Sequence, residues 1–254
     1  MSSGGQTMDH LLYIAMSGAK ENMNGISIKA NNLANSTTTG FKADLEQARA
    51  MQAFGEGLPT RVFSLTERPG QNFDDGSFII TERELDVAVQ GKGWLSVQDA
   101  EGNEAYTRAG NLQLSPTGVL QTASGLNVIG EDGPIQLPLP IAKMEIGGDG
   151  TISIRPQGAP ANVMQDVGRL KLVKPEFQDI EKGTDGLFRR KDGEVAELDA
   201  TVRVLSGAVE GSNVNAVGEM TQMISLQRQF EVQVKMMKTA EEIDRQHNQI
   251  MRII

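Results

Sequence analysis

The residues that could do chemistry are few, and their spacing speaks against catalysis. The two histidines, His10 and His247, lie at opposite ends of the 254-residue chain, and neither belongs to a His-x-x-x-His or comparable metal-ligand pattern. There is no cysteine, which removes disulfides, thiolate metal sites and thiol nucleophiles. Adjacent carboxylates occur at Asp74-Asp75 and Glu131-Asp132, but each pair runs into a glycine, the composition of a turn rather than of a general acid and base. Gly91-Lys92-Gly93 lacks the spacing of a phosphate-binding loop, and no Gly-x-Gly-x-x-Gly joins a strand to a helix. What remains is a run of amides, Ala30-Asn31-Asn32-Leu33-Ala34-Asn35, followed by Ser36-Thr37-Thr38-Thr39-Gly40-Phe41-Lys42. Asparagine supplies donors and acceptors without charge, Gly40 permits backbone angles other residues avoid, and Phe41 offers a large apolar surface. Two readings follow: a polar helix terminator, or a contact surface.

The elements that position this run are readable from periodicity. From Met8 the apolar residues Leu12, Ala15, Ala19, Met23, Ile26, Ala30 and Leu33 recur at three-and-four spacing and predict one long amphipathic helix, with Asp9 as N-cap. Its other faces are rich in Ser and Asn and poor in ion pairs, and Gly18 and Gly25 weaken it by about 1 kcal/mol each relative to Ala. Both features fit a helix with neighbours on more than one side, the glycines marking close approach of another helix. The stretch Met1 to Thr7 is expected as a disordered leader.

Ala43 to Phe54 is expected as a short helix, broken by Gly55-Glu56-Gly57-Leu58-Pro59, with irregular chain to Gly76. The period then changes. Short strands are predicted at 77–81, 85–89, 94–98, 105–108, 112–115, 119–122, 126–129, 151–154, 168–173 and 201–205, separated by Asp/Asn/Gly turns, with Trp94 as a core anchor. Beyond Ser212-Asn213-Val214-Asn215 the helical period returns through Val217, Met220, Ile224, Phe230, Val234, Met237 and Ile243, with Gln227 and His247 as polar interruptions. Met220, Met223, Met236 and Met237 read as core at helical spacing or as an adaptable face.

The expected fold is therefore α+β: long N- and C-terminal helices paired as a coiled coil, bracketing a mainly antiparallel β domain. The expected division is a discontinuous helical domain over 8–76 and 211–254 and a β domain over 77–210. A net charge of −9 argues against nucleic acid and anionic lipid as partners. No apolar run reaches the ~18 residues of a membrane span, so membrane insertion is not expected, and the first residues lack the basic and apolar regions of a cleaved signal peptide.

Three segments carry a resemblance. Ala30 to Asn35 with Thr39-Gly40-Phe41-Lys42 resembles the signature of the bacterial flagellar rod and hook proteins. Leu85-Asp86-Val87-Ala88-Val89-Gln90-Gly91-Lys92-Gly93-Trp94 through Tyr106-Thr107-Arg108-Ala109-Gly110 is similar to their shared β segment. Ser212-Asn213-Val214-Asn215, with Met223-Ile224 and Gln227 to Glu231, is similar to the opening of their terminal helix. The matches run in the family's order from Met8 to the end. They imply a structural subunit without enzymatic activity, cofactor or metal, delivered by the flagellar export apparatus without a cleaved signal and assembled in the periplasm with other rod proteins and copies of itself. It would sit in the proximal rod, a tubular drive shaft that transmits torque to the hook, with a distal-rod subunit as the same-family alternative. A wall hydrolase or a glycan-binding β module are the rivals from other classes. Under this resemblance the assembly interface comprises Leu12, Ala15, Gly18, Ala19, Gly25 and Ile26 on the first helix, and Asn31, Asn32, Leu33, Asn35, Gly40 and Phe41 at the corner. On the last helix it comprises Val217, Met220, Ile224, Gln227, Phe230, Val234, Met237 and Ile243. Asn31, Asn32 and Asn35 would bond across subunits, and Phe41 would fill an apolar pocket.

Overall fold

A computed structural model describes residues 4–45, 48–52, 62–66, 70–160 and 163–251. The architecture is α+β, as the change of period predicts: helix α1 (Gly4–Ala34), a series of short strands, and helix α2 (Ala216–Met251). Contacts divide the chain into a helical unit, Met1–Ser36, Asp44–Asn72 and Val214–Ile254, and a β unit, Thr37–Ala43 with Phe73–Asn213.

In the helical unit α1 packs on α2. Gly18 faces Gln233, while Lys29 and Asn32 meet Glu219, so the helices run antiparallel. Asn215 caps α2, its side-chain oxygen accepting from Gly218 N at 3.2 Å, and Glu219 places a negative charge in the first turn, where the helix dipole favours it. Helix α1 begins at Gly4, not Met8, so Asp9 lies inside the helix and part of the expected leader is helical. The helix expected over 43–54 is replaced by strands. Asp44–Leu45 pairs with Gly70–Gln71, and Ala48–Gln52 pairs with Val62–Thr66, all antiparallel. Arg49-Ala50-Met51-Gln52 satisfies helical and strand spacing equally, and its partner Val62-Phe63-Ser64-Leu65 alternates; pairing decided the outcome. The 55–59 break lies outside the described residues.

Every strand pair of the β unit is antiparallel. Its five-stranded sheet has the order Leu172–Val173, Trp94–Gln98, Glu104–Thr107, Phe188–Arg190, Ile180–Lys182. Successive side chains of a strand point to opposite faces, and here both faces are covered. Leu95, Val97 and Ala105 join a core with Val87, Leu112, Leu120, Ile152 and Leu170, while Trp94 and Tyr106 join Val173, Ile180 and Phe188 in a second, aromatic cluster. Phe73 stacks on Phe177 at 4.4 Å and meets the edge of Trp94, so Trp94 anchors this cluster.

Strands at 94–98, 112–114 and 120–122 fall where alternation predicts. The expected strand over 168–173 is split into Gln165–Arg169 and Leu172–Val173, and that over 126–129 shortens to Ile129–Gly130. Ile141–Ile146, Ile180–Lys182, Phe188–Arg190 and Ala208–Glu210 form strands the pattern did not mark. In the first of these a register shift between Ile141 and Lys143 changes the phase of the alternation, which hides it from a period-two search.

Candidate assembly surface

Up to Ala19 the buried face of α1 follows the predicted apolar stripe. Beyond it the buried line steps to Asn22, Gly25, Lys29 and Asn32, leaving Met23 60% exposed. Steps of three fall short of a full helical turn, so the line rotates away from the stripe. Leu12, Gly18, Ile26 and Leu33 are half-buried, and Ala15, Ala19 and Gly25 are buried. At Gly18 the close approach is real: a Cβ there would stand 2.6 Å from the Gln233 amide nitrogen. The polar stretch is held by Glu219, which takes the Lys29 ammonium at 3.3 Å and an Asn32 amide hydrogen at 3.4 Å.

Helix α2 carries two apolar lines. Met223, Phe230, Val234, Met237 and Ala240 are half-buried or buried, whereas Val217, Met220, Ile224, Val232, Met236 and Ile243 are exposed, as is Gln227.

The amide run at the end of α1 divides its labour. Asn32 is fully buried and works within the chain: its Nδ2 donates to Asp44 O and its Oδ1 accepts from Asp44 N, both at 2.9 Å, the reciprocal pairing of a strand neighbour. Asn35 caps the helix, its Nδ2 donating to Asn31 O at 2.9 Å, while the Ser36 hydroxyl takes Leu33 O at 2.8 Å. Asn31 is exposed. Asn32 is thus committed inside the chain and the Asn35 Nδ2 to the helix end, while Asn31 is the exposed amide of the run.

The Thr39-Gly40-Phe41-Lys42 segment belongs to the β unit and forms a buried clasp. Gly40 has φ 68°, and a Cβ there would lie 2.2 Å from the Arg108 carbonyl carbon, so glycine is required by both angle and space. Gly40 N donates to Glu210 O at 2.8 Å. The Glu210 carboxylate, with no exposed surface, receives Lys42 Nζ at 2.7 Å on one oxygen and an Arg108 nitrogen at 2.9 Å on the other. Gly76 N adds a third bond at 3.0 Å. Lys42 also donates to Asp74 O, Arg108 to the carbonyls of Val89 and Gly91, and the Arg108 guanidinium lies 5.1 Å over the Trp94 ring. Asp75 stands 3.8 and 3.5 Å from the two cations, giving two acids for two bases. Asn213 accepts from Ala43 N and donates to Asp74 O, tying the incoming and outgoing passages of the chain. Phe41 is half-buried, with the Lys182 ammonium 3.9 Å from its ring centroid. Arg108 and Glu210 were not singled out; the signal was a lone acid at the end of the apolar Ala208-Val209.

Among the described residues no group of side chains could hold a metal ion, and no helix is long and apolar enough to cross a membrane. Two long packed helices with exposed apolar residues, and a β unit that holds buried ion pairs, are the features of a structural subunit. Comparison with known proteins gives that class its family. Residues 12–42 match the model described as flagella basal body rod protein, 88–154 the flagellar hook protein FlgE/F/G D1 domain, and 205–250 the flagellar basal body rod FlgEFG protein C-terminal. The chain is similar to the flagellar basal-body rod protein FlgF of Escherichia coli K12, 45% identical over 96% of this chain and 99% of that one. It is 44% identical to FlgF of Salmonella typhimurium LT2 over the same shares, and 33% identical to FlgF of Caulobacter vibrioides over 94% and 96%. The chain belongs to the flagellar basal-body rod protein family and is a structural subunit of the rod, not an enzyme.

Proposed function

We propose that this subunit occupies the proximal rod, where its helices pair as a coiled coil and join those of neighbouring subunits in the wall of a tube that passes torque to the hook. The observation that carries this reading is the set of exposed apolar residues of α2, Val217, Met220, Ile224, Val232, Met236 and Ile243, on a helix that already packs against α1. An amphipathic helix in a finished structure hides its apolar residues, and burying one such side chain stabilises by about 1.5–3 kcal/mol. Partner helices from other rod proteins and from copies of this chain supply that cover, with Asn31 as a polar contact at the corner. Delivery by the export apparatus, without a cleaved signal, and a periplasmic position complete the proposal. The proximal position is favoured because the FlgF relatives reach 45% identity, against 30% for FlgG of Agrobacterium fabrum.

Ile224→Lys with Met220→Ser tests the reading. The purified chain is expected to keep its helix content and its unfolding midpoint, while basal bodies isolated from cells carrying it lack the chain and the cells do not swim. Normal incorporation of the double variant would remove α2 from the interface. Labelling of intact basal bodies that finds the chain only at the hook junction would remove the proximal assignment.

A further inference from the structure

The helices are not the only unfinished surface. In the β unit, Phe78–Ile80 forms the outer strand of a two-stranded ribbon with Ala208–Glu210. The inner strand is buried throughout, yet Phe78, Ile79 and Ile80 are 44, 50 and 77% exposed. Gly211 N bonds Ser77 O and Thr81 N bonds Gly207 O, so the odd-numbered residues face the partner strand and the main-chain groups of Phe78 and Ile80 point outward. Proteins blunt such edges with lysine, proline or a bulge, and this one has none. Its flanks are acidic: Asp74 and Asp75 precede it and Glu82 and Glu84 follow, while Arg83 is drawn to Asp86 at 3.6 Å.

Helix α2 offers the complement. A shallow groove of about 240 Å³ lies between Phe230 and Val234, rimmed by Glu231, Lys235 and Lys238. Phe230 and Val234 supply apolar walls, the two ammoniums are donors for outward carbonyls, and the Glu231 carboxylate is an acceptor for outward N–H groups. In a chain of net charge −9, copies repel at long range, so contact between them needs a local reversal of sign, and this rim provides one. We propose that the Phe78–Ile80 rib of one copy seats in the Phe230–Val234 groove of a second copy, with Lys235 and Lys238 facing Glu82 and Glu84. The contact is head-to-tail, as a continuing shaft requires, and it rests on the rod reading above.

The absence of native cysteine makes the test direct. Full-length chains carrying Ile80→Cys and Val234→Cys are mixed at low salt under mild oxidation, with Thr117→Cys, an exposed turn position, replacing the second partner as control. The 80–234 disulfide dimer is expected several-fold above the 80–117 dimer, suppressed by Lys235→Glu with Lys238→Glu, and restored when the Ile80→Cys chain also carries Glu82→Lys and Glu84→Lys. Equal yields, or a predominance of 80–80 dimers, which would mean that two rib edges pair with each other, overturn the proposal. Basal bodies from the same strains separate the two readings. If the chain is present in the rod but gives no 80–234 link, this contact fails and the rod assignment stands. If the chain is absent from the rod, the rod assignment fails and the purified mixture still decides this contact.

Discussion

The two units of this chain place their apolar residues in opposite ways. The β unit surrounds Leu95, Leu112, Leu120, Ile152, Ile154 and Leu170 with other apolar residues and sets its buried Lys42 and Arg108 against buried Glu210 and half-exposed Asp75. The helical unit buries Asn22, Lys29 and Asn32 while Met16, Met23, Val217 and Ile224 stand in solvent. Three of its buried polar atoms, Glu21 Oε2, Asn22 Nδ2 and Gln233 Oε1, have no hydrogen-bond partner. The β unit leaves such atoms as well, Asp86 Oδ1, Trp94 Nε1, Ser96 Oγ, Glu104 Oε1 and Arg108 Nε, so the units differ less in polar satisfaction than in apolar packing: one encloses a large apolar core, and the other leaves much of its apolar surface outside.

The sharpest way to break that comparison is to unbalance the clasp. Glu210→Leu leaves Lys42 and Arg108 buried with only half-exposed Asp75 to oppose them, and removal of one partner from a buried pair costs about 3–5 kcal/mol. Trp94 is the only tryptophan and sits in the β unit, so its fluorescence in denaturant reports this unit, while far-ultraviolet dichroism is dominated by α1 and α2. The variant is expected to lower the Trp94 midpoint strongly and to leave the helical signal in place at neutral conditions. A loss below about 1 kcal/mol would mean that water reaches the cluster and screens it as at a surface.

Which parts of this were legible in the sequence follows from the same contrast. Strands such as Trp94–Gln98 and Leu112–Leu114 were visible because local period and burial agree there, and both helices by their three-and-four spacing, even where burial departs from it. Thr39-Gly40-Phe41-Lys42 stood out by composition, yet the partners of Lys42 did not: Arg108 and Glu210 lie far along the chain, and only the fold brings them to one carboxylate. Asn32 was visible as an amide but not as an internal staple, because its partner is the main chain of Asp44, in a segment whose spacing also suited a helix. The rotation of the buried face of α1 was hidden for a physical reason. It is set by Gly18 against Gln233 and by Lys29 against Glu219, pair contacts that no stripe of hydrophobicity records.

Repair of the helix pair sharpens the comparison from the other side. Asn22→Leu combined with Gln233→Leu removes two unpartnered buried groups, and leaving such a group unsatisfied costs about 1–3 kcal/mol. The double variant is expected to raise the thermal midpoint of the helical signal and to slow amide exchange in α1, with the Trp94 transition unchanged. In the unmodified chain, exchange is expected to be slower through the strands of the β unit than through either helix. Equal protection would show that the helix pair is already a finished domain, and a destabilised double variant would show that Asn22 and Gln233 hold its register instead of weakening it.

The smallest effect concerns pH, and it belongs to the β unit alone. Arg189 binds Asp185 at 2.6 Å and Asp99 at 2.8 Å. The Arg189 hydrogen bond holds the Asp185 carboxyl below its ordinary range, helped by Leu187 N. At Asp99 burial pushes upward, but Arg189 and the N–H groups of Asn103 and Glu101 outweigh it, so this carboxyl is lowered as well. Groups depressed in the folded state bind protons more readily once unfolded, where their pKa is about 3.9, so their contribution is complete above that value and disappears as pH falls through the folded pKa. The Trp94 denaturation midpoint is therefore expected to stay level from about pH 7 to 5 with respect to these two groups and to fall below about pH 4. Arg189→Gln removes the shared cation, and its midpoint is expected to be slightly lower at neutral pH but to fall less steeply in acid. Asp185 is half-exposed, so solvent screening keeps the difference small. Parallel acid limbs in the two proteins would mean that the carboxylates on Arg189 do not govern the acid stability of the β unit.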